Sequence, residues 1–366
     1  MNAQPHSVRR RPAPSAAPPI RLMIVDDSTV ARAVLSRMVA ANPDFEVAAV
    51  AGNADEALAA LKSVKVDIVL LDVEMPGTSG IEALPDIIRA GAGARVLIVS
   101  SMAEQGAELT VRALAQGAAD TLPKPGAGNF AGRFSEVLTD RLRQIGRASR
   151  DHEMPARADP SARIRLRDMP VGKVGCIAIG ASTGGLPALI EFLRPLPQHL
   201  GAPILVTQHL PAIFMPYFAR QLEAASGRTA RVAVDGEALT DNVVHVAPGR
   251  AHLCVERAGS EVVARHDHQK APSGCLPSAD PMLESVARIY GGSGIGVMLS
   301  GMGRDGLIGS RHLVESGGAM LVQDHRSAAI WGMPRVVAEA GLASAMLAPA
   351  DLARRIALHV KGVKWS

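Results

Sequence analysis

Two adjacent carboxylates, Asp26 and Asp27, follow the apolar run 20–25, and a third, Asp72, follows the apolar run 68–71. Carboxylates gathered from two neighbouring strand ends make a hard-oxygen site suited to Mg²⁺, which takes a few carboxylates together with waters and phosphate oxygens. Lys124, just beyond the short run 121–122, offers an ammonium that neutralises a phosphoryl group there, and Ser100, closing the run 94–100, offers the same group a hydroxyl. A second set of residues lies further along. Ser182 sits in Gly180-Ala181-Ser182-Thr183-Gly184-Gly185, directly after the run 174–179 and before a helical pattern. Such a turn exposes the hydroxyl and leaves backbone N–H groups free at a helix N-terminus, which suits a phosphate or a developing oxyanion. The segment is neither GxSxG nor GxGxxG, and taken alone it fits a dinucleotide turn or an N-cap serine equally well. His209 follows the run 204–207, and Asp305 lies in the glycine-rich stretch 300–306 after the run 296–299. A serine nucleophile needs a base to deprotonate it and a carboxylate to orient that base, and Ser182, His209 and Asp305 together supply all three. His245 and His325 also fall in or just after predicted strands, but without glycine-rich company, so they read as structural.

These residues need strand ends to hold them. Apolar runs at 20–25, 45–51, 68–71, 94–100 and 121–122 alternate with helical spacing at 28–41, 54–61, 80–88 and 104–116. Alternation of this kind predicts a flavodoxin-like (βα)5 domain, a parallel sheet with right-handed crossovers. In the second half, strands are expected at 174–179, 204–207, 243–247, 253–255, 296–299 and 319–322, with a hairpin at 247–262. Helices are expected at 186–193, 215–225, 281–290, 306–315 and 334–340. This half also reads as α/β, doubly wound and mostly parallel. Sites in open α/β sheets lie at the carboxyl ends of the strands, where every candidate above falls. The expected organisation is a disordered tail over 1–19, a first domain over 20–140, a linker over 141–172 and a catalytic domain over 173–366.

At 366 residues, with 48% hydrophobic and 20% charged residues, the chain has globular composition and room for two or three domains. The formal charge of +4 is unevenly spread. Residues 21–140 hold ten basic against sixteen acidic side chains and 174–366 hold seventeen against fifteen, whereas 141–173 hold nine against four. The basicity therefore belongs to the tail and the expected linker. That distribution, the 3% aromatic content and the lack of a basic recognition helix argue against a nucleic-acid partner. A nucleotide-binding output is disfavoured because no acidic residue closes the strand 204–207 to hold a ribose. No apolar run is long enough to span a membrane, so no membrane insertion is expected. Cys176, Cys254 and Cys275 form neither a disulfide framework nor a CxxC pattern, and with no secretory h-region at the N-terminus a cytoplasmic location is expected.

The set VDDS…LLDVEMPG…VSS…PKPG resembles the receiver domain of two-component response regulators over about residues 20–140. That resemblance implies phosphorylation of Asp72, with Asp26, Asp27 and Asp72 holding Mg²⁺ and with Lys124 and Ser100 reading the phosphate. Ser79 stands where receivers commonly carry Asp, and Thr121 where they often carry an aromatic residue. Over about 174–360, IGASTGG, QHLP, APG, PSAD and SGMGRDG resemble the catalytic domain of the chemotaxis protein-glutamate methylesterases. Leu276 stands where that family usually has a basic residue. The resemblance implies Ser182 as nucleophile, His209 as general base, Asp305 as orienting acid, and backbone N–H groups near Thr183 and Met302 as oxyanion donors, with no metal at the triad. It further implies hydrolysis of glutamate γ-methyl esters, and deamidation of glutamines, on methyl-accepting chemoreceptor cytoplasmic domains. A histidine kinase of the chemotaxis type would be the phosphodonor, and the unphosphorylated receiver would cover the catalytic rim.

Overall fold

The computed structural model describes residues 18–100, 104–124, 133–153 and 164–362. The first domain is a five-stranded sheet of β1 (Ile20–Val25), β2 (Phe45–Ala51), β3 (Ile68–Leu71), β4 (Arg95–Ser100) and β5 (Asp120–Pro123). Its order is β2-β1-β3-β4-β5, and every neighbouring pair is parallel. Between the strands run α1 (Thr29–Ala40), α2 (Ala54–Leu61), α3 (Gly80–Ala90) and α4 (Glu104–Ala115), and α5 (Arg133–Glu153) follows β5. Helices on both faces bury the sheet twice over, so β3 reads Ile-Val-Leu-Leu with no polar alternation and all four residues buried. Local signals set the helix starts. Ser79 and Glu82 form a reciprocal capping box at α3, and Asn53 caps α2 through the Glu56 N–H.

The second sheet has seven strands, all parallel, in the order β14-β13-β12-β6-β7-β9-β8. They are β6 (Cys176–Ala181), β7 (Ile204–Gln208), β8 (Ala230–Val232), β9 (Val244–Val246), β12 (Gly294–Met298), β13 (Ala319–Gln323) and β14 (Ala343–Leu347). An antiparallel hairpin, β10 (His252–Ala258) with β11 (Glu261–Asp267), stands apart from the sheet. The helices are α6 (Gly185–Leu193), α7 (Met215–Ser226), α8 (Ala279–Tyr290), α9 (Leu307–Glu315), α10 (Met333–Glu339) and α11 (Pro349–Val360). From β6 the chain passes to β7 on one side and later returns to β12 on the other. The crevice at the ends of these three strands is therefore the switch point where such sheets place ligands.

The fold class matches the sequence expectation, and five details differ. The hairpin lies at 252–267 rather than 247–262. Strands β8 and β14 and helix α11 differ from the expectation: β8 is three residues long, β14 is Ala-Ser-Ala-Met-Leu, and the apolar pattern of α11 is broken by Asp351, Arg354 and Arg355. Helix α5 continues through the first half of the expected linker, with Leu142 and Ile145 fully buried among β-sheet side chains of the first domain. Its many arginines hide a narrow apolar stripe of Leu138, Leu142 and Ile145, at helical i, i+4, i+7 spacing. The rest of that segment is partly outside the described residues. Where the chain resumes, Arg167 N–H donates to the Ala343 carbonyl of β14 at 2.8 Å, so this part is tied to the second domain. The tail expected over 1–19 lies almost wholly outside the described residues.

The two domains pack together. Helix α4 lies against α6, α7 and the short turn 212–214, and one cluster of buried apolar side chains continues from Val96, Ala107 and Val111 into Leu186, Leu189 and Phe218.

Candidate active site and phosphoacceptor site

Asp26 and Asp27 leave β1, and Asp72 leaves β3, its immediate neighbour in the sheet. Ligand oxygens of the three lie within 4.8 Å of one another. Asp26 and Asp72 are buried, Asp27 exposed. Arg32 holds the β1–α1 loop by donating to the Asp26 and Asp27 carbonyls at 2.6 and 3.0 Å. The Lys124 ammonium lies 2.8 Å from Asp26 Oδ2 and 2.6 Å from Asp72 Oδ2. Burial raises the Asp72 carboxyl above its ordinary value, with Lys124 opposing. For Lys124 burial acts downward, but its hydrogen bonds to the two carboxylates outweigh that and hold it protonated. Three convergent carboxylates open to solvent on the Asp27 side fit a hard divalent cation. Ser100 closes β4 beside Pro123 of β5. Its buried hydroxyl is 2.7 Å from Thr110 Oγ1 on α4, and since Thr110 spends its own proton on the Gly106 carbonyl, Ser100 is the donor. It is thus turned toward α4 in this state.

The second site forms at the ends of β6, β7 and β12. Ser182 follows β6, His209 follows β7, and Asp305 lies in the loop after β12. The Ser182 Oγ is 3.1 Å from His209 Nδ1, and His209 Nε2 is 2.7 Å from Asp305 Oδ2. A carboxylate only accepts, so Nε2 carries a proton toward it, and in the neutral ring Nδ1 turns its lone pair to the serine. Burial acts to lower the His209 pKa, but hydrogen bonds with Asp305 and Cys275 outweigh it and raise it to about 9. Burial acts to raise Asp305, but donors from His209, Ser278 and Ala279 outweigh it and hold the carboxylate well below its usual range.

Close backbone packing shapes the turn that carries Ser182. Ser182 N–H donates to the Ser300 carbonyl at 3.0 Å, and Gln208 Nε2 donates to the Ser182 carbonyl at 2.7 Å. Gly184 has φ +72°, and any Cβ there would collide with Ala329. A Cβ on Gly301 would press on Ser182 Cβ at 3.0 Å and overlap the Met333 sulfur. Among the described residues the backbone N–H groups of Thr183, next to Ser182, and of Met302, next to Gly301, have no hydrogen-bond partner. His245, in β9, is buried with Nε2 accepting from Thr240 N–H, and His325 packs tilted against Trp331; neither joins the site.

Several groups at this site carried no signal in the linear sequence. The Cys275 thiol falls within 4.8 Å of the ligand atoms of His209 and Asp305. That trio has the donors of a soft-metal site, yet both Asp305 oxygens are already taken by internal donors, which commits it to hydrogen bonding. Asp120, in β5 of the first domain, accepts from Thr183 Oγ1 at 2.5 Å and from Arg141 of α5. Gly184 N–H donates to the Ala119 carbonyl at 2.7 Å, and Ile330 and Met302 pack on apolar side chains of the first domain. The first domain thus covers the rim one residue from Ser182.

Comparison with known proteins agrees with this arrangement along the chain. A family model described as CheB methylesterase matches residues 177–356, and one described as response regulator receiver domain matches 22–129. The chain is 40% identical over 348 residues to protein-glutamate methylesterase/protein-glutamine glutaminase 2 of Caulobacter vibrioides, covering 94% of this chain and 100% of that protein. It is 36% identical over 367 residues to a similarly named protein of Paramagnetospirillum magneticum, covering 93% and 96%. The crystal structure of the Thermotoga maritima CheB methylesterase catalytic domain is 32% identical, covering 51% of this chain and 98% of that one, with a TM-score of 0.49. No described helix is long and apolar enough to cross a membrane. With both domains matched in order and relatives aligned over nearly their full length, the chain belongs to the protein-glutamate methylesterase/protein-glutamine glutaminase family, hydrolases of chemotaxis response regulators that carry a receiver domain.

Proposed function

We propose that the chain hydrolyses glutamate γ-methyl esters, and deamidates glutamines, on chemoreceptor cytoplasmic domains by a Ser182–His209–Asp305 mechanism. The support is the unbroken hydrogen-bonded line from Ser182 Oγ through the His209 ring to Asp305. Ser182 Oγ attacks the γ-carbonyl carbon while His209 Nδ1 takes its proton, and the carbonyl π pair moves onto oxygen. The Thr183 and Met302 N–H groups hold that oxyanion. On collapse the C–O bond to the methoxy group breaks, His209 returns the proton, and methanol leaves an acyl-serine. Water, deprotonated by the same nitrogen, attacks the acyl carbon and restores Ser182 and a free glutamate. With glutamine the leaving group is ammonia. The test is methanol release from a methylated receptor cytoplasmic fragment; an unchanged methyl content after prolonged incubation with phosphodonor would sink the proposal.

Control by phosphorylation follows from what lies on the rim. A kinase phosphohistidine would transfer its phosphoryl group to an Asp72 oxygen, breaking P–N and forming P–O, with Mg²⁺ held by Asp26, Asp27 and Asp72 supplying charge neutralisation. The cytoplasmic domain of the receptor would meet a catalytic rim freed at the same time. Lys124, which now binds Asp72, directly follows β5, and that strand carries Asp120 three residues before its end. Asp120 places a carboxylate on Thr183, beside the N–H groups meant for an oxyanion, which disfavours negative charge there. Pulling on Lys124 therefore pulls on the strand that holds Asp120 in place. Asp120→Ala should raise the basal esterase rate of the unphosphorylated full chain about tenfold, the worth of a charged hydrogen bond. Asp72→Asn should leave the basal rate intact and remove stimulation by acetyl phosphate with Mg²⁺. An unchanged basal rate in the first variant, or retained stimulation in the second, contradicts the coupling.

A further inference from the structure

Asp305 is 1% exposed, so its carboxylate depends on protein donors for the hydrogen bonds water would otherwise provide. His209 and Ala279 N–H both donate to Oδ2, the latter at 2.7 Å, and Ser278 Oγ donates to Oδ1 at 2.5 Å. Ser278 is therefore a side-chain donor to the oxygen that His209 does not use, with the Asp280 carboxyl beside the same carboxylate. It is fully buried and begins α8 as its N-cap. An ordinary N-cap serine spends its hydroxyl oxygen on the helix. Here that oxygen accepts from Asp280 N–H at 3.2 Å while the hydroxyl proton goes to Asp305, so the group has a second task.

Ser278 is in turn held from behind. Its backbone N–H donates to His252 Nδ1 at 2.8 Å, and His252 Nε2 lies 2.8 Å from the Gln269 carbonyl. A carbonyl cannot donate, so Nε2 bears the proton and Nδ1 the lone pair, and only the neutral ring satisfies both neighbours. His252 is 1% exposed, lies on β10, and reaches Asp305 only by way of Ser278 among the described residues. The Ser278-bearing loop thus has one fixed position between the hairpin and the β12 loop.

We propose that Ser278 is a positioning residue for hydrolysis, fixing Asp305 and through it the His209 ring, and that His252 on the hairpin anchors Ser278. This rests on the Ser-His-Asp mechanism proposed above and extends it by two residues from elements outside the three catalytic strands. Because the fixed carboxylate sets the angle of the base toward Ser182, its loss acts on the chemical step and not on substrate binding.

The test uses the full chain stimulated with acetyl phosphate, with active enzyme counted by a fluorophosphonate burst. Ser278→Ala should lower kcat about 10- to 100-fold with KM within twofold, as expected for one hydrogen bond to a buried charge. It should also move the ionisation seen in kcat/KM to higher pH, because a carboxylate with one donor fewer holds the His209 proton more tightly. The groups facing these residues are Asp305 and Cys275 around His209, and Asp280 beside Asp305, with Glu284 next to Asp280. Ser278→Thr, which keeps the hydroxyl, should restore the wild-type profile. His252→Asn keeps an acceptor for the Ser278 N–H and should stay within a few-fold of wild type, whereas His252→Leu should behave as Ser278→Ala. If Ser278→Ala fails to fold, the two His252 variants carry the same comparison. A lower melting temperature with kcat per active site and pH profile unchanged would make Ser278 a helix cap only and overturn the proposal. Should Ser182→Ala itself remain active, the mechanism beneath it fails instead, so the two failures are distinguishable.

Discussion

Replacing Ser182 by alanine should reduce kcat for methanol release by about 10⁴- to 10⁶-fold, the scale on which losing a serine nucleophile disables such a group. The Oγ makes one side-chain hydrogen bond, to His209 Nδ1, and the turn around it is held by backbone bonds to Ser300 and Gln208 that alanine leaves untouched. The variant should therefore fold, bind receptor fragment with unchanged affinity, and still accept phosphate at Asp72. Whatever rate survives would come from binding and the oxyanion donors alone. A Ser182→Ala protein with more than a few per cent of wild-type turnover would mean that water is activated directly and no acyl-serine forms.

The second large effect belongs to Asp305→Asn. The amide can still turn its oxygen to His209 Nε2 and the Ala279 N–H and its NH₂ to Ser278, so the loop need not move. What disappears is the negative charge beside the ring as it takes the serine proton. A fall of about 10³- to 10⁴-fold in kcat/KM is expected. The pH profile gives the sign independently. With the His209 pKa raised to about 9, kcat/KM should still be climbing above pH 7.5, pass half its maximum near that pKa and level off only beyond it. Without the carboxylate, burial is opposed by Cys275 alone, and the ionisation should move down in pH as the plateau falls. A wild-type profile already flat at pH 7, or an Asp305→Asn profile shifted upward, contradicts the assigned orientation of the ring.

Much of this was legible in the sequence because strand ends are legible. Apolar runs closing on Asp26-Asp27, on Asp72 and on Ser182, His209 and Asp305 place functional groups at one edge of a sheet without any knowledge of strand order. The order itself was not readable, although it decides that β12, β6 and β7 are neighbours and hence that residues 182, 209 and 305 meet. Ser278 and His252 were hidden for the same reason. Neither carries a signal in the linear chain, and only the docking of the hairpin against the loop before α8 makes them neighbours of Asp305. Asp120 looked like one more acid in an acidic domain until the domain interface set it on Thr183. The part of helix α5 beyond residue 140 reads as linker because Arg141, Arg143, Arg147 and Arg150 dominate it, while burial depends on where the few apolar side chains fall. Ser100 was placed correctly on its strand, but its hydroxyl rotamer follows Thr110, a partner ten residues away on a packed helix.

The central claim is that Ser182 is the nucleophile and that the receiver shields it until Asp72 is phosphorylated. Its most direct measurement is mass-spectrometric mapping of a fluorophosphonate adduct on the full chain, timed with and without acetyl phosphate and Mg²⁺. The expected result is one adduct on Ser182 that forms faster with phosphodonor in the wild type but not in Asp72→Asn. An adduct on another residue, or a Ser182 adduct whose rate ignores the phosphodonor, would contradict it.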